Sequence, residues 1–276
     1  MNIKVLSFNI LADQYIDYDD LQRDYPTIHE SDLKLSKRMP KIIAYIKKVD
    51  ADIVMLQEIT PETKKMISKS FPEYKCVALA KHKYSEGGSY NSGNMTMLRK
   101  GMFKNIKHKG LFLAKTPNVF SLTNCVLIDK VMDDKGKQVM EDKDKQVKDK
   151  LKDKLKDDEL TIVNVHLDWE FESIREKEAM ALNKYVAKHK KCIIAGDFNT
   201  NADVTHNKFK NFVSVVKKEK STFLCENAMI DYIYVRGFTV KSGDVDNVPV
   251  KDKKNCFVKT IKKYGSDHYP VIAHIV

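Results

Sequence analysis

Cys192-Ile193-Ile194-Ala195-Gly196-Asp197-Phe198-Asn199 is an apolar run that stops abruptly at a carboxylate and an amide two residues apart. A short apolar run bounded by turn residues reads as a buried strand. Five further stretches have the same form. They are Lys4-Val5-Leu6-Ser7-Phe8-Asn9, Ile53-Val54-Met55-Leu56-Gln57-Glu58, residues 161–166 ending at His166, residues 229–235 around Asp231, and residues 265–275 with Asp267 and His268. Strands that finish at the same edge of one sheet deliver their terminal side chains to one place. The expectation is a sheet edge that gathers carboxylates, amides and imidazoles.

Working outward, Ile3, Val5, Ser7 and Asn9 alternate onto one face, and Asp197 and Asn199 share a face of an extended segment. Pro40 opens a helix with Ile42, Ile43, Tyr45, Ile46 and Val49 at helical spacing. Thr60-Pro61 reads as the cap and first turn of another helix. Ser173-x-x-Glu176 is a capping box for a helix burying Ile174, Ala181, Leu182, Tyr185 and Val186. Phe209, Phe212, Val213 and Val216 repeat that spacing in a shorter helix. Strands are expected at 121–128 and 160–166. Between them, residues 133–159 hold nine lysines against ten acids and hardly an apolar side chain. That composition predicts a solvated hairpin insertion in a single domain spanning residues 1–276.

The chain has 276 residues and a net charge of +11. Of its 49 basic residues only Arg23, Arg38, Arg99, Arg175 and Arg236 are arginines. Lysine meets phosphate as a mobile point charge, so the surface favours loose attraction to a polyanion over bidentate base reading. The alternative reading is that the lysine richness reflects an AT-rich genome. No apolar stretch approaches the roughly 18 residues of a membrane span, and no signal peptide is evident at the N-terminus. The reading is a soluble intracellular protein, cytoplasmic or nuclear. The odd set Cys76, Cys125, Cys192, Cys225 and Cys256 contains no C-x-x-C pair and fits a reducing compartment, with Cys125 and Cys192 as small core residues.

Phe8-Asn9-Ile10-Leu11-Ala12-Asp13, then Asp50-Ala51-Asp52-Ile53, Leu56-Gln57-Glu58, His166-Leu167-x-Trp169, Gly196-Asp197-x-Asn199 and Ser266-Asp267-His268 together resemble the endonuclease/exonuclease/phosphatase superfamily. In wording they are nearest to its deadenylase-type branch. The resemblance covers residues 4–276. It implies an α+β fold, a four-layer αββα sandwich of two mixed β-sheets packed face to face with helices outside.

Phosphodiesters repel nucleophiles, so their hydrolysis needs a divalent cation to neutralise charge and an activated water in line with the leaving oxygen. Hard oxygen ligands select magnesium, with manganese as a substitute. Asn9 and Glu58 are the candidate ligands, the resemblance putting Glu58 first, and Asp267 is a further one. By resemblance, Asp197 orients or deprotonates the attacking water and the Asn199 amide donates to the phosphate. His268 would donate to a phosphate oxygen, with Asp231 as the carboxylate that fixes it, and His166 would be a second donor. Trp169 would stack on a base or pack beside His166. Asp13 and Asp168 would help hold metal or cap loops, and Lys81-His82-Lys83-Tyr84 would be a solvated loop or a contact to single strands.

The span from Asn199 to Asp231 is shorter than in deadenylases, and the Trp-Cys-Asp-Arg motif of inositol polyphosphate phosphatases is replaced by Met229-Ile230-Asp231-Tyr232. The expected function is therefore magnesium-dependent phosphodiester hydrolysis on nucleic acid, the partner being single-stranded RNA or DNA with RNA slightly favoured. The alternatives are a phosphodiesterase or phosphatase on a small or lipid phosphoester, and a catalytically inactive nucleic-acid-binding module.

Overall fold

The computed structural model describes residues 2–77, 80–81, 92–112, 119–128, 159–201, 207–216, 220–223, 228–246 and 253–276. In chain order the elements are β1 (Ile3–Asn9), α1 (Tyr18–Asp24), α2 (Glu30–Leu33), α3 (Leu35–Val49), β2 (Ile53–Ile59), α4 (Pro61–Ser70), β3 (Tyr74–Cys76), β4 (Ala80–Lys81) and β5 (Gly93–Arg99). They continue with β6 (Phe103–Phe112), β7 (Val119–Leu127), β8 (Glu159–His166), α5 (Glu172–Val186), β9 (Lys191–Asp197), β10 (Val213–Ser214), β11 (Asp231–Arg236), β12 (Val240–Val245), α6 (Lys253–Tyr264) and β13 (Val271–Ile275).

The strands form two mixed sheets. One runs β12-β13-β1-β2-β5-β3, with β4 also paired to β5, and the other runs β10-β11-β9-β8-β7-β6. β1 pairs with β2 in parallel and β8 with β9 in parallel, while the other pairings are antiparallel. Ile53 and Val54, Ile162 and Val163, and Ile193 and Ile194 are β-branched and fully buried, which suits central strands covered on both faces. The sheets face each other, β1 and β2 lying against β9 and β8. The helices complete a four-layer α/β sandwich.

Asn164 of β8 fastens the two sheets. Its Nδ2 donates to Leu56 O and Met95 O, each at 3.0 Å, and its Oδ1 accepts from Gln57 Nε2 at 2.7 Å. A buried amide tolerates an apolar core only when its donors and acceptor are engaged, as they are here.

Three local expectations are corrected. α3 begins at Leu35 and carries Pro40 inside it, so Pro40 does not open the helix. The missing Pro40 N–H costs one helical hydrogen bond, yet the preceding turn is held by buried Arg38. Its guanidinium donates to Leu33 O (2.8 Å), Ile10 O (3.0 Å) and Gly265 O (2.8 Å), and pairs with Asp13.

The Ser173 capping box does not form: α5 starts at Glu172, with Phe171 at the cap position and no side-chain cap bond. Asp168 Oδ1 instead accepts from the Glu170 and Phe171 amides at 3.0 and 2.7 Å. The buried stripe is Glu178, Ala179, Leu182 and Val186, with Ile174, Ala181 and Tyr185 partly exposed.

The helix expected over Phe209 to Val216 is absent. Val213 and Ser214 form β10, pairing with Val235 and Tyr234. The outer edge of β11 offers unpaired backbone groups that a strand satisfies and a helix does not. Phe209 packs on Phe198 and Tyr234 in this arrangement.

Thr60 and Thr63 close a capping box on α4, with Pro61 in its first turn. Cys125 and Cys192 are buried free thiols. No described helix is long and apolar enough to cross a membrane. The charged segment lies outside the described residues apart from Glu159, as do His82, Lys83 and Tyr84.

Candidate active site

The predicted side chains meet at one edge of the molecule, built from both sheets rather than one. Asn9 ends β1, Glu58 stands near the end of β2, and His166 and Asp197 end the parallel neighbours β8 and β9 in register. Asp231 opens β11 opposite Asp197, and Asp267 and His268 precede β13. The last two groups thus begin antiparallel strands, which return to the same edge.

Alternation alone would send Glu58 the wrong way, because Asn9 is in register with Gln57. Between Leu56 and Ile59, β2 has one residue more than β5, a bulge, and Glu58 sits at φ 60°. A bulge re-aims the side chains after it. Here it turns Glu58 onto Asn9, whose Nδ2 donates to Glu58 Oε1 at 2.8 Å. The Ala12 amide donates to Oε2 at 2.7 Å.

Asn9 Nδ2 also donates to Asp197 Oδ2 at 3.0 Å, while its Oδ1 accepts from the Leu11 amide. One amide therefore sets Glu58 and Asp197 side by side. Burial first, and then the charge of Asp267, raise the Glu58 carboxyl above its ordinary value.

Gly196 lets β9 deliver Asp197. A Cβ there would fall 1.9 Å from Val165 O, at φ +144°, so only glycine allows this approach of β8 and β9. Asp197 Oδ1 accepts from the Asn199 amide at 2.8 Å. Asn199 adopts φ 49°, so residues 197–199 form a turn and are not the extended segment expected. The turn swings Asn199 Nδ2 onto Leu167 O at 2.9 Å.

His268 Nε2 and His166 Nε2 lie 3.7 and 3.8 Å from Asp197 Oδ2. Burial, followed by the charge of Asp231, raises Asp197 to about 7, against the opposing pull of His268.

His268 Nδ1 and Asp231 Oδ2 are 2.8 Å apart and both residues are buried. Donating from Nδ1 to that carboxylate fixes the ring so that Nε2 points at Asp197 and, 4.0 Å away, Asp267 Oδ1. Burial alone lowers His268, but Asp231, Asp197 and Asp267 outweigh it and hold the imidazole well above 6.5. Asp231 Oδ1 is buried with no hydrogen-bond partner among the described residues. Ser266 ties the halves together, donating from Oγ to Asn9 O at 2.7 Å and accepting from the His268 amide at 3.2 Å.

Glu58, His166, Asp197, Asn199, Asp267 and His268 line a cleft of about 590 Å³. Glu58 and Asp267 put two carboxylates on its lining, the hard-oxygen donor set that suits a divalent cation. Asp197, Asp231 and His268 also bring ligand atoms within 4.8 Å of one another and form a possible metal site.

Trp169 lines the cleft with 66% of its surface exposed, which corrects the expectation that it packs as an anchor beside His166. Asp13 pairs with Arg38, and Asp168 organises its own loop. Sequence reasoning missed Tyr15, Arg175 and Phe223 on the cleft walls. Arg175 was legible only as one of five arginines in a lysine-rich chain; Tyr15 and Phe223 carry no local signal.

The chain matches the model of the endonuclease/exonuclease/phosphatase family over residues 6–268. A search of curated proteins found no significant match. Solved structures with similar folds include one described as TDP2 of D. rerio complexed with single strand DNA product. It is 15% identical with TM-score 0.62, and the match covers 100% of this chain and 99% of that one. Another is ANGEL2, described as a 2',3'-cyclic phosphatase in complex with adenosine-2',3'-vanadate, at 14% identity and TM-score 0.69 over 100% of this chain and 95% of that one. A third is a mannosyl-6-phosphatase of Bacteroides thetaiotaomicron, at 17% identity and TM-score 0.62 over 99% of each chain. At such identities the likeness speaks for the fold, and the family match supplies the rest: the chain belongs to the endonuclease/exonuclease/phosphatase family of phosphoric ester hydrolases.

Proposed function

We propose that this chain is a magnesium-dependent phosphodiesterase on nucleic acid, single-stranded RNA being slightly favoured over DNA. The observation that carries the proposal is the placement of Asp197 Oδ2 between Asn9, His166 and His268 in a cleft that also holds Glu58 and Asp267. In this reading Glu58 and Asp267 hold the cation, with Asn9 positioning Glu58 and available as a further ligand through Oδ1. The cation supplies charge neutralisation at the phosphate; manganese is an expected substitute. We assign the Asp197–Asp231–His268 set to proton handling because His268 Nδ1 and Asp231 Oδ2 are engaged with each other.

Asp197 takes the proton of the attacking water, a task for which a carboxylate raised to about 7 is suited. His268, held cationic by its carboxylates, donates from Nε2 to a phosphate oxygen as charge builds there. His166 donates from the other side. Asn199 Nδ2 spends one N–H on Leu167 O and has a second for the phosphate.

Nucleic acid as substrate is supported by the net charge of +11 and by relatives described with a single-strand DNA product and an adenosine vanadate. The mannosyl-6-phosphatase among the similar folds favours a second reading, a small phosphoester. A panel decides between them: purified protein with magnesium against labelled single- and double-stranded RNA and DNA, poly(A), and sugar, inositol and lipid phosphoesters. Cleavage of single-stranded nucleic acid with little turnover of the small esters is expected. The reverse pattern overturns the proposal, and no turnover on any substrate supports an inactive binding module.

A further inference from the structure

The chain's only tryptophan stands at the cleft wall on a loop that is fastened at almost every peptide. Leu167 N donates to Asp197 O at 3.0 Å, and Leu167 O accepts from Asn199 Nδ2 at 2.9 Å. Asp168 N donates to the buried Glu178 carboxylate at 3.0 Å. Arg175 Nη1 donates to both Asp168 O and Trp169 O at 3.1 Å. Asp168 Oδ1 then accepts from the next two amides, Glu170 and Phe171.

This fastening fixes the backbone under Trp169 while leaving 66% of the residue exposed. A large aromatic side chain exposed at a cleft wall on a fixed backbone offers a preorganised face to a flat ligand. Phe223 and Tyr15 add aromatic surface to the same cleft, with the Phe223 ring 4.9 Å from that of His268.

We propose that Trp169 is the stacking face of a nucleobase subsite, taking the base of the nucleotide that carries the reacting phosphate. Because the loop is bonded to Asp197 and Asn199, the stacked base and the phosphate are positioned by one rigid unit. Stacking accepts any base, since each has a π-face, so the subsite selects nucleotides over sugar phosphates without selecting sequence. This deepens the reading of nucleic acid as substrate and rests on it.

Because Trp169 is the only tryptophan, its fluorescence reports from the subsite itself. The full chain with magnesium is titrated with adenosine 5'-monophosphate and with ribose 5-phosphate, which differ only in the base. Saturable quenching by the nucleotide is expected, with ribose 5-phosphate binding about 5- to 100-fold more weakly. By calorimetry, Trp169→Ala should erase most of that difference and Trp169→Phe should restore it, since phenylalanine keeps a stacking face. Equal binding of the two ligands, or a preference that survives Trp169→Ala, overturns the subsite. The two readings fail separately. Quenching by the nucleotide without hydrolysis of any nucleic acid keeps the subsite and removes the activity, whereas hydrolysis of RNA without a base preference does the opposite.

Discussion

Asp231→Asn keeps the shape of the side chain and deletes a charge 2.8 Å from His268 Nδ1. An opposite charge at such range moves a titration by about 1 to 3 pH units, equivalent to about 1.4 to 4 kcal/mol. His268 must be protonated to donate, so activity falls as pH rises through its pKa; losing Asp231 lowers that pKa and moves the basic limb to lower pH.

The acidic limb moves the same way. Asp197 must be ionised to accept a proton, and after burial the charge of Asp231 is what raises it to about 7. Removing that charge lets Asp197 ionise at lower pH. The whole bell should therefore slide downward. Its limbs belong to the coupled cluster rather than to single residues.

The assay is kcat/KM against pH at saturating magnesium for wild type, Asp231→Asn, His268→Ala and the double variant. The double variant should lose little beyond the worse single one. Asparagine would also place an N–H₂ or oxygen where Asp231 Oδ1 is buried without a partner among the described residues, at about 1–3 kcal/mol, so assays stay well below the variant's Tm. An unmoved basic limb, limbs moving in opposite directions, or additive losses in the double variant would refute the reasoning.

Glu58→Gln should lower turnover by about 100-fold or more, with partial rescue by high metal or manganese; undiminished activity at low magnesium removes Glu58 from the metal site. Folding raises the Glu58 carboxyl, so its contribution to stability is full below the unfolded pKa and is lost as pH rises through the folded value. Without metal, the Tm of Glu58→Gln relative to wild type should therefore climb with pH, as followed by circular dichroism. Gly196→Ala drives a Cβ to 1.9 Å from Val165 O and should cost about 3 kcal/mol or more, seen as a lower urea midpoint; wild-type stability would contradict the close approach of β8 and β9. Val126 and Glu159 are paired across β7 and β8. A short Gly-containing turn in place of residues 129–158 should thus leave folding and turnover near wild type, and loss of substrate affinity in a folded variant would make the segment a binding element.

The strand ends were readable because a buried strand writes itself as a contiguous apolar run, and Asn9, Glu58, His166 and Asp197 stand where such runs stop. The pairing of Asp231 with His268 spans 37 residues and no local period contains it; it was expected through the family resemblance alone. Arg38 was silent altogether: a guanidinium holding Ile10 O beside Asn9 and Gly265 O beside Ser266 looks, in sequence, like one more basic residue of a helix.

The deeper reason lies in the backbone. Among described residues other than glycine, Leu11, Asp50, Glu58, Asn105 and Asn199 have positive φ. Asp50 closes α3, and Asp and Asn tolerate that region. Leu11 and Glu58 do not, and with Asn199 they all stand at the cleft. Each such residue costs about 1–3 kcal/mol, and that cost is maintained by specific bonds, Leu11 N to Asn9, Ala12 N to Glu58 and Asn199 N to Asp197. Rules of alternation and propensity describe chains that follow their local preferences. They fail at Glu58 and Asn199 because the surrounding fold holds those residues against such preferences, which is what aims their side chains into the cleft.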